Sequence, residues 1–292
     1  MKKISLILVL ALMLTMLSAC GEAAPQAQVA ATTLPVYTFT SRILEGTDIT
    51  VTRLVTEEVS CLHDYTLNTN QVRAAESAET IVISGAGLED FLGDLLQGDK
   101  IVDASQGLTL LESSGHQHEE DGETHLHDHD PHIWLSPENA QAMAKNICAS
   151  LSQRYPEQQE KMEENLQSLL SQLQELQTYG EESLRDLSCR EIITFHDGFA
   201  YLAQAFDLTI LRSIEEEHGS EASAKDLSDL ITLVQENNLP AIFTERNGSD
   251  AAASVIAAET GVQVYSLTTG MSGEDYFTAM RENIDTLKEA LR

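Results

Sequence analysis

After residue 20, no stretch of this sequence is long and apolar enough to cross a bilayer, which takes about 20 predominantly apolar residues. Basic residues are scarce: 17 Lys plus Arg stand against 47 Asp plus Glu, a formal net charge of −30. Nucleic acid is thereby excluded as a partner, because binding it depends on neutralising phosphates. The acidic balance suits a soluble body that attracts cations, although a solvated surface accounts for most of it. Cysteine is scarce too, four in 292 residues, with no Cys-x-x-Cys pair and no zinc-ribbon spacing. There is no phosphate-binding loop and no His-Glu-x-x-His motif.

What is present begins at the N-terminus. Lys2 and Lys3 precede an apolar run from Ile4 to Leu17, interrupted by Ser5 and Thr15, that closes on Leu17-Ser18-Ala19-Cys20-Gly21. A short apolar core ending in small residues is a secretory signal. Small residues directly before a cysteine resemble a bacterial lipobox, which makes residues 1–19 the signal peptide and Cys20 the lipidated first residue. The alternative is an ordinary signal peptide with an incidental cysteine. Removing Lys2 and Lys3 takes the net charge from −30 to −32. Residues 20–30, rich in Ala, Gln and Pro, form the expected tether. Of the other cysteines, Cys61, Cys148 and Cys189, one pair (Cys148 with Cys189) is a candidate disulfide in an oxidising compartment. Free thiols fit as well.

Strand-like and helix-like runs alternate. Residues 51–55, 80–84 and 100–103 read as short buried strands, with helical composition at 68–78 and 88–97. The second half repeats the rhythm, with strands at 191–195, 241–245 and 262–267 and helices at 197–206, 223–238, 249–260 and 274–291. Such alternation predicts an α/β fold with parallel sheets covered by helices. From Pro156 to Leu187 the chain is almost unbroken helix former. Met162, Leu166, Leu169, Leu170, Leu173 and Leu176 recur at three- and four-residue steps. As one helix it would run about 45 Å, enough for a backbone between two lobes. A coiled-coil or partner helix is the alternative. The expected division is therefore an N-terminal lobe over 31–155, a linking helix over 156–188 and a C-terminal lobe over 189–292.

Nine histidines carry the chemistry. Five (His116, His118, His125, His127, His129) lie in 112–131, an acidic segment with almost nothing apolar, expected to be a mobile loop. Low-affinity metal capture, sensing of metal abundance and a solvated linker all fit that composition. The sharpest motif is Asp130-Pro131-His132-Ile133-Trp134-Leu135-Ser136-Pro137. Pro131 fixes the turn before the histidine, and Ser136 with Pro137 starts a helix. His63 precedes the helix near Asn68, and His196 follows the strand at 191–195. All three are expected at strand-to-helix junctions, where open α/β sheets bind ligands. One such histidine is usually structural; three together point to a metal, and three histidines are a common zinc set. Glu245, closing the strand at 241–245, is expected either to orient a ligand or to act as a structural cap. His218, beside Glu215 to Glu217, is expected on a solvent-facing loop.

At these residues the sequence resembles a known family, the zinc- and manganese-binding solute receptors of bacterial ABC importers (ZnuA/TroA-like). The resemblance spans about residues 30 to 291. Its carriers are His63-Asp64-Tyr65, Gly85-Ala86-Gly87-Leu88-Glu89, the His-rich insert, the motif around His132, Phe195-His196-Asp197-Gly198-Phe199-Ala200-Tyr201, and Tyr276 to Leu287. It implies two α/β lobes joined by one long rigid helix, with a metal between them on His63, His132 and His196. Manganese receptors present a carboxylate at the third position, so a histidine there favours zinc. Two departures stand out. Cys61 and Leu62 precede His63, where the family has Asp-Pro. Thr268 stands where the family has a fourth, aspartate ligand, so that coordination place is open.

The expectation is thus a monomeric, lipid-anchored, extracytoplasmic receptor without catalytic residues. It would capture zinc, or less favourably manganese or another divalent transition metal, and deliver it to an ABC permease subunit. Its only link to the membrane would be the lipid. The alternatives are a surface zinc hydrolase using the open coordination place and an adhesin stabilised by metal.

Overall fold

Short runs of apolar and β-branched residues build two sheets, each of four parallel strands. A computed structural model describes residues 27–57, 59, 62, 65–112, 118–120, 123–125, 129–214, 223–271 and 273–292. The first sheet holds β1 (Val29–Ala31), β2 (Val51–Arg53), β3 (Thr80–Ile83) and β4 (Ile101–Asp103) in the order β2-β1-β3-β4. A two-stranded antiparallel ribbon follows, β5 (His118–Glu120) with β6 (Glu123–His125). The second sheet holds β7 (Glu191–Thr194), β8 (Thr209–Ser213), β9 (Ala241–Glu245) and β10 (Gln263–Leu267) in the order β10-β9-β7-β8. Strands β1, β3 and β9 are buried along their whole length, as expected where helices cover both faces of a parallel sheet.

The helices begin where their caps say they should. Helix α1 (Leu34–Ile43) carries Pro35 in its first turn. Helix α2 (Thr69–Ser77) opens on a capping box between Asn68 and Gln71. Helix α3 (Pro137–Arg154) is capped by the Ser136 hydroxyl, which accepts from the Asn139 N–H. Helices α4 (Gln159–Ser183), α5 (Ala200–Ala205), α6 (Ala224–Asn237), α7 (Ala251–Thr260) and α8 (Tyr276–Ala290) complete the set. The long helix α4 buries the stripe Met162, Leu169, Leu173 and Leu176. Near its end the Phe206 ring lies so close to Gly180 that a Cβ there would come within 2.2 Å of it.

Helix α8 returns from the second half to the first. Tyr276 packs edge-on against Phe39 of α1, centroids 5.0 Å apart. Arg42 of α1 donates to Gln172 of α4 and to Asp275 at the start of α8, and its guanidinium lies 4.5 Å above the Phe277 ring. One continuous apolar core therefore runs through both halves, with Phe39, Trp134, Leu173, Phe243 and Met280 among its members.

Several expectations are corrected. Residues 29–30, assigned to the tether, belong to β1, a central buried strand with no alternation to betray it. The helix expected over 88–97 is a 3₁₀ segment, Asp90–Leu96, broken at Gly93 with φ +50°. The unbroken helix over 156–187 is a 3₁₀ turn, Pro156–Gln158, followed by α4, about 37 Å long at 1.5 Å per residue. The segment 112–131 is not wholly irregular, since it contains β5 and β6 and its last residues, Asp130 and Pro131, are buried. Of the two alternatives left open for Cys148 and Cys189, the structure holds free thiols; burial pushes the Cys148 thiol up from its ordinary pKa. Cys20, the signal segment and Cys61 lie outside the described residues. No helix among the described residues is long and apolar enough to cross a membrane.

Each sheet reverses its strand order beside its first strand, between β1 and β3 and between β7 and β9. In the first sheet this crevice is filled by Glu89, which accepts from the Thr32 hydroxyl and the Ser84 N–H at 2.7 Å and from the Gly85 N–H at 2.9 Å. Burial pushes its carboxyl up from about 4.5 to about 7, outweighing the three donors. A folded-state pKa above the unfolded one means that this group's contribution is complete below about 4.5 and is lost as pH rises through about 7. Glu89→Gln cannot ionise. The Tm of the metal-free variant relative to the parent is therefore expected to rise between about pH 5 and pH 8. A constant difference across that range would place the titration elsewhere.

Candidate metal centre

His132 and His196 meet at the boundary between the halves. His196 lies two residues past β7, at the carboxyl end of that strand and at the crevice where the second sheet reverses. His132 does not directly follow a strand, contrary to expectation. A long connection separates it from β4, and it caps the 3₁₀ turn Ile133–Leu135 that leads into α3. The backbone there is fixed from three sides. Asp130 N–H donates to the Leu111 carbonyl at 2.9 Å, and the Tyr201 hydroxyl donates to the Asp130 carbonyl at 3.1 Å. The Tyr276 hydroxyl donates to the Trp134 carbonyl at 2.7 Å.

The two rings stand nearly perpendicular, with their Nε2 atoms 3.3 Å apart. Both residues are buried, at 2% and 5% exposure. At their far ends stand carboxylates. Asp130 Oδ1 accepts from the His132 backbone N–H at 2.9 Å and from His132 Nδ1 at 2.8 Å. The second bond fixes the proton on Nδ1 and leaves a lone pair on Nε2. Glu245 Oε2, at the end of β9, lies 3.8 Å from His196 Nδ1, and its Oε1 accepts from the Thr269 hydroxyl at 3.3 Å. The indole N–H of Trp134 donates to the Thr269 carbonyl at 2.7 Å. A chain of contacts thus leads from the His132 segment through Thr269 and Glu245 to His196.

The spacing has a chemical meaning. Two nitrogens bound to one tetrahedral zinc at 2.0–2.1 Å lie about 3.3–3.4 Å apart. The Nε2 pair therefore already stands at the separation of two ligands.

The remaining sequence candidates divide. His63 and Asp64 lie outside the described residues, as do His116, His127 and His218. The described flanks of His63 are anchored. Leu62 is buried, and the Tyr65 hydroxyl donates to Glu57 Oε2 at 2.7 Å. Desolvation, then the hydrogen bond to Glu57, pushes Tyr65 up to about 12. His118 and His125 are register partners in the ribbon, and His129 bridges to Glu112. Thr268 is buried and its hydroxyl accepts from the Gly270 N–H at 3.0 Å, while Asn283 of α8 clamps its backbone. Asp130 was not singled out for a role of its own, although an Asp two residues before a histidine can accept that histidine's backbone N–H in an Asx turn. Thr269 gave no signal at all.

A scan against family models matches residues 29–290 to the zinc-uptake complex component A, periplasmic, ZnuA. The chain belongs to this family. Among ZnuA relatives, the zinc-binding lipoprotein AdcA of Streptococcus pneumoniae is 31% identical over 309 residues, covering 99% of this chain and 61% of its own length. The chain thus spans under two thirds of that relative. The high-affinity zinc uptake system protein ZnuA of Bacillus subtilis is 30% identical, covering 99% of this chain and 98% of its own. A crystal structure of ZnuA superposes with a TM-score of 0.76 at 29% identity, over 91% of this chain and all of that one. The ZnuA fold of two parallel-sheet lobes on a long helix is the one described above.

Gly198 sits against both rings. A Cβ there would come within 2.7 Å of His196 Nε2 and 2.8 Å of His132 Cε1. Gly198→Ala is expected to pry the rings apart and weaken Zn(II) binding by at least about tenfold, the scale of changes just outside a metal's ligand shell. The far-ultraviolet circular dichroism of the variant should match the parent's. Calorimetric titration checks the first point, and undiminished zinc affinity would refute the ring-spacing argument.

Proposed function

We propose that this protein is an extracytoplasmic receptor that captures zinc and hands it to an ABC permease. The observation that carries the reading is the buried His132–His196 pair, with Nε2 atoms from two halves of the chain at 3.3 Å. Family membership supports it, as do the names of the relatives, which describe zinc binding and zinc uptake in those proteins. His63, His132 and His196 are the proposed ligands. His63 would come from the segment between β2 and α2, which the Glu57, Tyr65 and Gln71 side chains brace. Cys20 is the proposed lipidation site, holding a body of two lobes, 29–155 and 189–292, at the membrane through the connecting segment 20–28. The segment 156–188 links the lobes. With no catalytic residue assigned, the chemistry is binding and release. Transport energy would come from a separate ATPase chain.

An imidazole-only set favours zinc over manganese, which prefers carboxylate and carbonyl oxygen. Calorimetric titration of the mature protein should therefore give tight zinc binding and manganese binding weaker by orders of magnitude. His63→Ala, His132→Ala and His196→Ala should each abolish the tight zinc phase. Deleting 113–129 should leave that phase intact. Survival of tight binding in all three histidine variants would overturn the ligand assignment, and a preference for manganese would overturn the metal.

A further inference from the structure

Three imidazole ligands carry no charge. A divalent ion among them brings two positive charges into a site whose described histidines are at most 5% exposed. Burying charge without compensation is costly. Two carboxylates stand where they can compensate. Asp130, 4% exposed, bonds the Nδ1 end of His132, and its other oxygen, Oδ2, is buried and takes no hydrogen bond from any described residue. Glu245, 6% exposed, faces the Nδ1 end of His196 at 3.8 Å. Each therefore lies behind a ring whose Nε2 is directed at the site.

We propose that Asp130 and Glu245 form a charge-compensating pair that balances the captured divalent ion, and that Asp130 also holds His132 in the tautomer whose Nε2 lone pair meets the ion. The proposal rests on the receptor reading above. The two are positioning residues, acting on the metal through the imidazoles. With a dication present, the ligand set and the pair together are neutral, which favours a divalent over a monovalent guest. Without it, a buried carboxylate oxygen that lacks a donor costs stability. Asp130 thus weakens the empty receptor and strengthens the loaded one, opposite signs that a merely structural hydrogen bond does not produce.

The test uses the mature chain, with zinc affinity from competition titration and Tm from the metal-free protein. Asp130→Asn keeps an oxygen to accept from His132 but removes the charge, and Glu245→Gln does the same at His196. Each should lower zinc affinity about 10–100-fold, and Asp130→Asn should do so with a metal-free Tm equal to or above the parent's. The double variant should lose more than either single one. A variant with parental affinity removes that residue from the pair. Parallel falls in affinity and metal-free Tm in Asp130→Asn would overturn its charge role. Asp130→Ala should lose more affinity than Asp130→Asn, and equality would overturn the tautomer role. The parent tests the underlying reading, which fails if it binds no zinc tightly; if the parent binds zinc and His132→Ala binds it equally well, His132 is not a ligand and this proposal falls alone.

Discussion

His132 and His196 are 64 residues apart in sequence and stand on elements that share no sheet, yet their Nε2 atoms lie 3.3 Å apart. Holding two ring nitrogens at ligand spacing requires both backbones to be over-determined. The structure does this with buried hydrogen bonds that cross the boundary. Trp134 gives its indole N–H to Thr269, and Tyr276 gives its hydroxyl to the Trp134 carbonyl. Both bonds involve the residue two past His132, so the ring on the first half is referenced directly to the second. On the receptor reading, rings fixed in this way would avoid much of the ordering cost of binding.

The two sheets contribute unequally. In the second, the crevice between β7 and β9 bears His196 and Glu245 at the carboxyl ends of the strands, where an open α/β sheet offers a ligand site. In the first, the corresponding crevice between β1 and β3 is occupied by Glu89 and its three donors. That crevice is spent on holding β1, β3 and the following turn together. His132 accordingly arrives from the long connection after β4, on a proline-led 3₁₀ turn.

Much of this was legible in the sequence. The alternation of strand-like and helix-like runs gave the α/β class, and six of the eight sheet strands were found within a residue or two. The two that were missed, β1 and β8, lacked the expected signals: Val-Ala-Ala is too short and too plain, and β8 is half-exposed at a sheet edge. The motif around His132 and the junction after β7 singled out the two histidines that the structure brings together, and Pro131 and Ser136 mark the first of these places because they are residues with positional meaning. Thr269 was invisible because it works through a backbone carbonyl and a hydroxyl aimed at partners far away in sequence. Contacts of that kind follow from tertiary packing and leave no local pattern.

The shared core bears on how a captured ion would leave. Leu173 of the linking helix, Phe39 of α1 and Tyr276 and Met280 of α8 belong to one apolar cluster with Trp134 and Phe243. Swinging one half away from the other would break the Trp134 and Tyr276 bonds and open that cluster. Each buried hydrogen bond carries a net worth of about 0.5–1.5 kcal/mol, and its groups cost more when left unpaired. Local motion is cheaper, because segments with few buried contacts open at a fraction of the global stability. The turn after β9, residues 246–250, is exposed throughout and begins immediately after Glu245. On the receptor reading, withdrawing one carboxylate or one ring through such a turn would unbalance the charge at the ion while the core stays closed, so release can be local in a body whose halves are fastened together.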